Sequence, residues 1–303
     1  MNFRSDNESP AAPEIMEALA RANSDSAHSY GADRYTAELQ TRFCALFETD
    51  LTVYPVATGT AANALCLGEL APPYGAIYCY EQAHINVDEC GAPEFYSGGA
   101  KLVGLEGEHG RIAPQTVTDT LAATGYHGEH ESAPTVLSLT NASEAGTVYA
   151  PAAVAELAAI AKEARMAVHM DGARFANALA TLGCSPAELT WRAGVDMMSF
   201  GATKNGAMMA EAVVDFRPAS MRPPHESLRR RRMRGGHLLS KMRFLSAQLL
   251  AYVDDGLWLR LAGQANAGAK HLSEGLAALP GVRLAHPVEA NEVFVYLPEA
   301  LAD

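Results

Sequence analysis

Ser199-Phe200-Gly201-Ala202-Thr203-Lys204-Asn205-Gly206 is the stretch on which the reading of this chain turns. An apolar run, Val195 to Phe200, reads as a buried strand. It passes into a turn of small residues with Lys204 at its tip. The chain has five lysines, so each can be weighed. Lys162, Lys241 and Lys270 sit in helix-like stretches, and Lys101 opens a strand-like run. Only Lys204 follows an apolar segment and is flanked by Gly, Ala, Thr and Asn. Small neighbours let a flat ligand approach the backbone, and partial burial would depress the amine pKa, as a Schiff-base lysine requires. Taken alone, the stretch suits an exposed-loop lysine better, since buried lysines are rare. The remaining motifs reverse that.

Working outward, the segment before Lys204 supplies an acid. Met166 to Met170 is a short apolar strand ending in Asp171-Gly172-Ala173-Arg174. An Asp–Arg ion pair is the plain reading. A carboxylate at a strand's carboxyl end can also meet a cationic ring nitrogen. Earlier still, Leu51 to Ala57 alternates as a strand does, and Thr58-Gly59-Thr60 follows it into a helix from Ala61 to Leu70. A Gly-Thr turn at a helix N-terminus presents free N–H groups and a hydroxyl to an anion, although Thr is also an ordinary N-cap. Gly-x-Gly-x-x-Gly and Gly-x-x-x-x-Gly-Lys-Ser/Thr are both missing, so neither a dinucleotide nor a nucleoside triphosphate is indicated. Ala76 to Tyr80 reads as a buried strand, with His84 just past its end, where α/β folds place ligands.

Further strands are expected at Lys101–Leu105, Pro134–Thr140 and Met208–Val214. Helices are expected at Pro13–Ala22, from Asp33 to Phe47, and at Gln115–Ala123, Ala152–Arg165, Ala173–Leu182 and Pro186–Ala193. Strands alternating with helices give an α/β domain with a mainly parallel sheet. Pro218 to Pro224 reads as an irregular link. Helices at Leu238–Tyr252 and Leu257–Leu279 and strands at Val282–Ala285 and Val293–Leu297 then form a small α+β domain. The expected division is residues 1–245, an N-terminal arm and large domain, and 246–303, the small domain. Arg229-Arg230-Arg231-Arg232-Met233-Arg234 is a basic run, either a solvated face or a phosphate contact across a subunit boundary.

Composition narrows the class. The chain has 303 residues, 49% hydrophobic, with a formal net charge of −12. That acidity argues against binding nucleic acid or anionic membrane. Five cysteines without Cys-x-x-Cys or paired Cys/His spacing give no disulfide framework and no metal site. Free thiols and an N-terminus without an apolar signal core fit a cytoplasmic protein.

Gly59 and Thr60 for a phosphate, His84 for an aromatic face, Asp171 for a ring nitrogen and Lys204 for an aldehyde together match the needs of pyridoxal 5'-phosphate. At these residues the chain resembles the low-specificity L-threonine aldolases, fold-type I pyridoxal-phosphate enzymes of the aspartate aminotransferase-like architecture. The resemblance runs through Ser5-Asp6-Asn7, Tyr30-Gly31-Ala32-Asp33, Thr58 to Ala64, His84-Ile85-Asn86, His169 to Arg174, Ser199 to Gly206 and Gly236 to Arg243. Asp88-Glu89-Cys90-Gly91-Ala92-Pro93-Glu94-Phe95 places it nearest a bacterial type.

The resemblance implies the following roles. Lys204 carries the cofactor as an aldimine, and Asp171 pairs with its ring nitrogen. His84 stacks on the ring, and Gly59 and Thr60 hold the phosphate with Arg232 or Arg234 of a neighbouring subunit. Ser5 and Arg174 bind the substrate carboxylate, and Arg174 also reaches the cofactor's phenolic oxygen. His130 matches a second active-site histidine, so the base is His84 or His130, and Tyr30 lies near the site. The implied reaction is retro-aldol cleavage of L-threonine, L-allo-threonine and other L-β-hydroxy-α-amino acids to glycine and an aldehyde, in a homodimer or homotetramer. Alternatives are a phenylserine aldolase or other β-eliminating lyase of the same fold, and a cofactor-binding protein of little activity. The family continues beyond position 303, so the small domain is expected to be incomplete, without a match for a second carboxylate-binding arginine.

Overall fold

In the computed structural model, residues 3–125, 127–221 and 227–299 are described. The strands are β1 Thr52–Val56, β2 Gly75–Tyr80, β3 Lys101–Leu105, β4 Gly107–Glu108, β5 Arg111–Ile112, β6 Ala133–Thr140, β7 Ala167–Gly172, β8 Met197–Gly201, β9 Glu211–Asp215, β10 Arg283–Leu284 and β11 Val295–Tyr296. The helices are α1 Pro13–Ala22, α2 Arg34–Phe47, α3 Gly59–Leu70, α4 His84–Val87, α5 Ala92–Ser97, α6 Pro114–Ala123, α7 Pro151–Glu163, α8 Phe175–Leu182, α9 Pro186–Leu189, α10 Ser227–Arg234, α11 Arg243–Val253 and α12 Leu257–Ala277.

Seven strands form one sheet in the order β1-β9-β8-β7-β6-β2-β3. From β8 to β3 neighbouring strands are parallel. β9 is antiparallel to both β1 and β8, so it alone runs against the rest. The carboxyl ends of β1, β2, β6, β7 and β8 therefore share one rim, and β9 begins at that rim with Glu211. This is the expected α/β fold with its mainly parallel sheet. The central strands are buried on both faces: all residues of β8 and β9 are buried, as the apolar run before Lys204 anticipates.

Local chemistry sets the helix starts. The Asp33 carboxylate caps α2 by accepting from Thr36 N at 2.9 Å. The Thr58 hydroxyl caps α3 by accepting from Ala61 N at 3.1 Å. Phe43 and Phe47, one turn apart on α2, are fully buried and pack with Phe200, whose ring centroid lies 5.1 Å from Phe43 and 5.6 Å from Trp258. That aromatic cluster backs the end of β8. An aromatic-to-alanine change there costs about 3–5 kcal/mol.

The structure departs from the sequence expectation in places. β9 begins at Glu211 rather than Met208, because the Gln248 side chain takes the amides of Met208 and Met209 at 2.9 and 3.1 Å. The helix expected from Leu238 begins at Arg243, with Ser240 O accepting instead from Tyr30 N at 2.9 Å. The histidine after β2 starts a short helix, α4, and the segment 107–112 is a hairpin; neither was anticipated. In the proline-bearing link, residues 222–224 lie outside the described residues.

Candidate active site

The rim encloses a cavity of about 380 Å³ lined by, among others, Gly59, Thr60, His84, Asp171, Arg174 and Lys204. Six sequence-predicted residues thus come together. The sheet explains how: Asp171 ends β7, Lys204 follows β8, His84 follows β2, and Gly59 opens the helix after β1. The adjoining strand ends approach closely. A Cβ on Gly201 would lie 2.4 Å from Ala173 O, and one on Gly172 2.4 Å from Ser199 O. Glycine at both positions lets the acid and the lysine leave neighbouring strands side by side.

The Lys204 turn, a 3-10 segment Thr203–Asn205, is fixed from both sides. Asn205 Nδ2 donates to the Tyr252 hydroxyl at 2.7 Å and to Trp258 O at 2.9 Å. Thr203 N donates to Glu211 Oε1 at 3.2 Å. Glu211 is fully enclosed, and burial pushes its carboxyl up to about 7, against the Thr203 hydrogen bonds and the Lys204 charge.

Asp171 is 3% exposed. Its Oδ1 accepts from Ala173 N at 2.9 Å and from the Ser199 hydroxyl at 3.3 Å; its Oδ2 accepts from Asn63 Nδ2 at 2.7 Å. All three donors are neutral. A carboxylate has about four acceptor positions. A buried acid whose three donors are neutral keeps an acceptor position for a cationic ring N–H. The phosphate position fits likewise. Thr58 satisfies Ala61 N with its hydroxyl and Ala62 N with its carbonyl, so the Gly59 and Thr60 amides remain the first-turn donors beside the cavity. A Cβ on Gly59 would meet no protein atom within 4 Å, so packing does not demand the glycine.

Two residues that sequence reading did not single out join the acid to the histidine. Asn63 Nδ2 donates to Glu89 Oε1 at 2.9 Å as well as to Asp171. The same Glu89 oxygen lies 2.9 Å from His84 Nδ1. The Glu89 hydrogen bond raises the His84 pKa, and burial raises that of Glu89. Glu144 Oε1 accepts from His84 N at 3.0 Å and Thr140 Oγ1 at 2.7 Å, and burial raises its pKa. Asn63 and Glu89 both lie inside stretches that carry the family resemblance.

Arg174 holds Asp6 through Nε and Nη2 at 2.8 and 3.2 Å, and its Nη2 lies 3.1 Å from Glu292 Oε1. Burial pushes the Asp6 carboxyl up, but Arg174 outweighs it and brings it net below the ordinary value. Ser5 is exposed, and its hydroxyl accepts from Asn7 N at 3.2 Å; Asn7, rather than Ser5, lines the cavity. Tyr30 is exposed at a left-handed turn (φ 56°), and His130 lies in an exposed 3-10 turn; neither lines the cavity. Arg232 is buried on α10 with its guanidinium 5.4 Å from the Tyr54 ring, and burial lowers its pKa to about 10. Arg234 is exposed on the same helix. No described helix is long and apolar enough to cross a membrane.

A lysine and an acid at the ends of adjacent strands, facing a helix N-terminus across a cavity, are the fold-type I arrangement. Comparison with known proteins narrows the class. Residues 2–300 match the family described as beta-eliminating lyase, and the chain belongs to that family. It is 44% identical over 297 residues to the low specificity L-threonine aldolase of Pseudomonas sp., covering 98% of this chain and 84% of that one. It is 46% identical, with the same coverage, to the protein of that name from Pseudomonas aeruginosa. The structure of Leishmania major threonine aldolase superposes with a TM-score of 0.90 at 28% identity, covering 98% of this chain and 85% of that one. The chain is accordingly a lyase of this family.

Proposed function

We propose that this lyase uses pyridoxal 5'-phosphate to cleave L-threonine, L-allo-threonine and other L-β-hydroxy-α-amino acids to glycine and an aldehyde. The observation that carries the reading is buried Asp171, hydrogen-bonded by neutral donors alone, beside Lys204 on the same rim. Lys204 would hold the cofactor covalently. Asp171 would face its ring nitrogen, Gly59 and Thr60 its phosphate, and His84 its ring. Arg232 or Arg234 would approach the phosphate across a subunit boundary in an assembly of two or more chains. When bound, the cofactor supplies an electron sink for the bond that breaks.

The chain's own groups do the rest. Arg174 anchors the substrate carboxylate, which sets the rotation about the Cα–Cβ bond. His84 is oriented through Nδ1 by Glu89, leaving Nε2 to take the β-hydroxyl proton. His130 stands outside the cavity lining, which favours His84 as the base. Asn63 ties Glu89, the histidine's partner, to Asp171, so the base and the acid that would face the ring nitrogen share one scaffold. Product analysis tests the reading. Purified protein supplied with pyridoxal phosphate is expected to form glycine and acetaldehyde from L-threonine and from L-allo-threonine, and benzaldehyde from phenylserine. Ammonia and a keto acid instead of glycine would replace this reaction with a β-elimination.

A further inference from the structure

The anchor for the substrate carboxylate is already in use. Asp6 occupies the Nε–Nη2 edge of Arg174 at 2.8 and 3.2 Å. A guanidinium has one further two-point edge for a carboxylate, Nη1–Nη2. Both edges need Nη2, and Glu292 Oε1 stands 3.1 Å from it. Glu292 does not swing freely there. The Glu289 and Ala290 amides donate to Gly146 O at 3.2 and 3.0 Å, Glu289 Oε2 accepts from Val148 N at 2.8 Å, and Asn291 Nδ2 donates to Asp6 Oδ2 at 3.1 Å. Gly146 has a left-handed φ of 73°, and a Cβ added to it would press on Glu292 Cβ at 3.0 Å. The segment is strapped down, with its acid aimed at the anchor.

We infer that Glu292 is a specificity-determining residue for the carboxylate corner, an internal carboxylate that competes with the substrate's own for Arg174. The inference rests on the assignment of Arg174 as substrate anchor. Burial pushes the Glu292 carboxyl up to about 7, against the pull of Arg174. The other charged groups facing it are Asp6 from the N-terminal 3-10 turn, Lys204 from the turn after β8 and Glu144 from the segment after β6. Asp171, at the end of β7, bears on Arg174 itself. Below about pH 7 Glu292 is neutral and yields Nη2 to a substrate carboxylate. Above it, two anions contend for one N–H pair, so the KM for L-threonine rises as pH rises through this range.

The test measures kcat and KM for L-threonine from pH 6 to 9 in the wild type, Glu292→Gln, Glu292→Asp and Arg174→Ala. Glycine affinity, followed by the absorbance change of the bound cofactor, is read alongside. Removing a displaceable competitor recovers part of one charged hydrogen bond for the substrate. Glu292→Gln is therefore expected to lower KM and the glycine dissociation constant about three- to tenfold at pH 8.5. It also flattens their rise with pH, while Glu292→Asp retains the rise. If Arg174→Ala raises KM but Glu292→Gln leaves KM and its pH dependence as in the wild type, the inference is overturned and the anchor stands. If Arg174→Ala leaves KM unchanged, the anchor assignment falls and takes the inference with it.

Discussion

The strand-end rim and the Arg174 corner line the same cavity but are held by different forces. At the rim, Asp171, Lys204, Gly59 and His84 each leave a strand of one sheet, and backbone register sets their spacing. Their fastenings include short hydrogen bonds from neutral donors, such as Asn205 to Tyr252 and Asn63 to Asp171. At the corner, Asp6, Arg174 and Glu292 come from a 3-10 turn, a helix start and an irregular strap, and charge brings them together. A site spaced by register keeps its geometry as pH changes. A site fixed by ion pairs answers to pH. The reacting atoms fall on the first kind of support and substrate admission on the second.

The severest test of the rim removes its functional groups without disturbing its frame. Lys204→Ala is expected to lower kcat/KM on the order of a thousandfold or more, as loss of a covalent anchor does. Borohydride treatment, which should fix pyridoxyl mass on the wild-type peptide containing Lys204, should leave the variant unlabelled. Label on another lysine would break the assignment. Asp171→Asn comes next. The carboxamide keeps the size and the contact with Ala173 N but not the charge, and a roughly hundredfold fall in kcat/KM is expected, exceeding the stability lost where its Nδ2 faces Asn63 Nδ2. A loss of stability equal to the loss of rate would make Asp171 a structural residue.

What could be read from the sequence follows the same division. Lys204, Asp171, Gly59, Thr60 and His84 were legible because each lies at or within a few residues of the carboxyl end of an apolar strand, and strand ends are where α/β sheets bind ligands. Glu89, Asn63 and Glu292 were not. Asn63 sits inside a helix whose residues 61–68 are all buried, and helical periodicity alone does not show that its amide bridges two carboxylates. Asp88 and Glu89 are adjacent acids, and only the turn of α4 decides that Glu89 reaches His84. Glu292 meets Arg174 across more than a hundred residues of chain, with no local pattern to mark it. Ser5, Tyr30 and His130 came from resemblance, and in this single chain they stand on exposed surface.

A smaller effect probes the link between acid and histidine. Glu89→Gln keeps the shape but not the charge that raises the His84 pKa. The variant's imidazole should lose its proton at lower pH. If neutral His84 is the base, the acid limb of the kcat/KM profile moves to lower pH in the variant, and the plateau falls roughly tenfold as the orientation loosens. An unmoved limb would separate His84 from the base role, and His130→Ala would then be the next variant to profile.

The smallest effect concerns stability, and it asks how far a buried acid at the rim makes folding depend on pH. Besides His84, Glu89 and Glu144, the rim holds Glu211, a buried acid whose folded-state pKa of about 7 lies above the ordinary carboxylate value of 4.5. Between those two values the folded chain keeps a proton that the unfolded chain has released. The folded state binds more protons across that window, so stability falls as pH rises through it. The contribution is whole below about pH 4.5 and gone above about pH 7. Glu292 has the same sign and window at the corner. Glu211→Gln retains an oxygen to accept from Thr203 N but has no proton to lose. Urea unfolding of the holoenzyme from pH 5 to 8 should therefore be flatter in Glu211→Gln than in the wild type, by on the order of 1–2 kcal/mol across the range. Adding Glu292→Gln should flatten it further, though not strictly additively, because Lys204 acts on both acids. If Glu211→Gln keeps the wild-type slope and Glu292→Gln alone abolishes it, titration belongs to the corner only. Glu211 would then be ionised across the range, its charge held by Lys204.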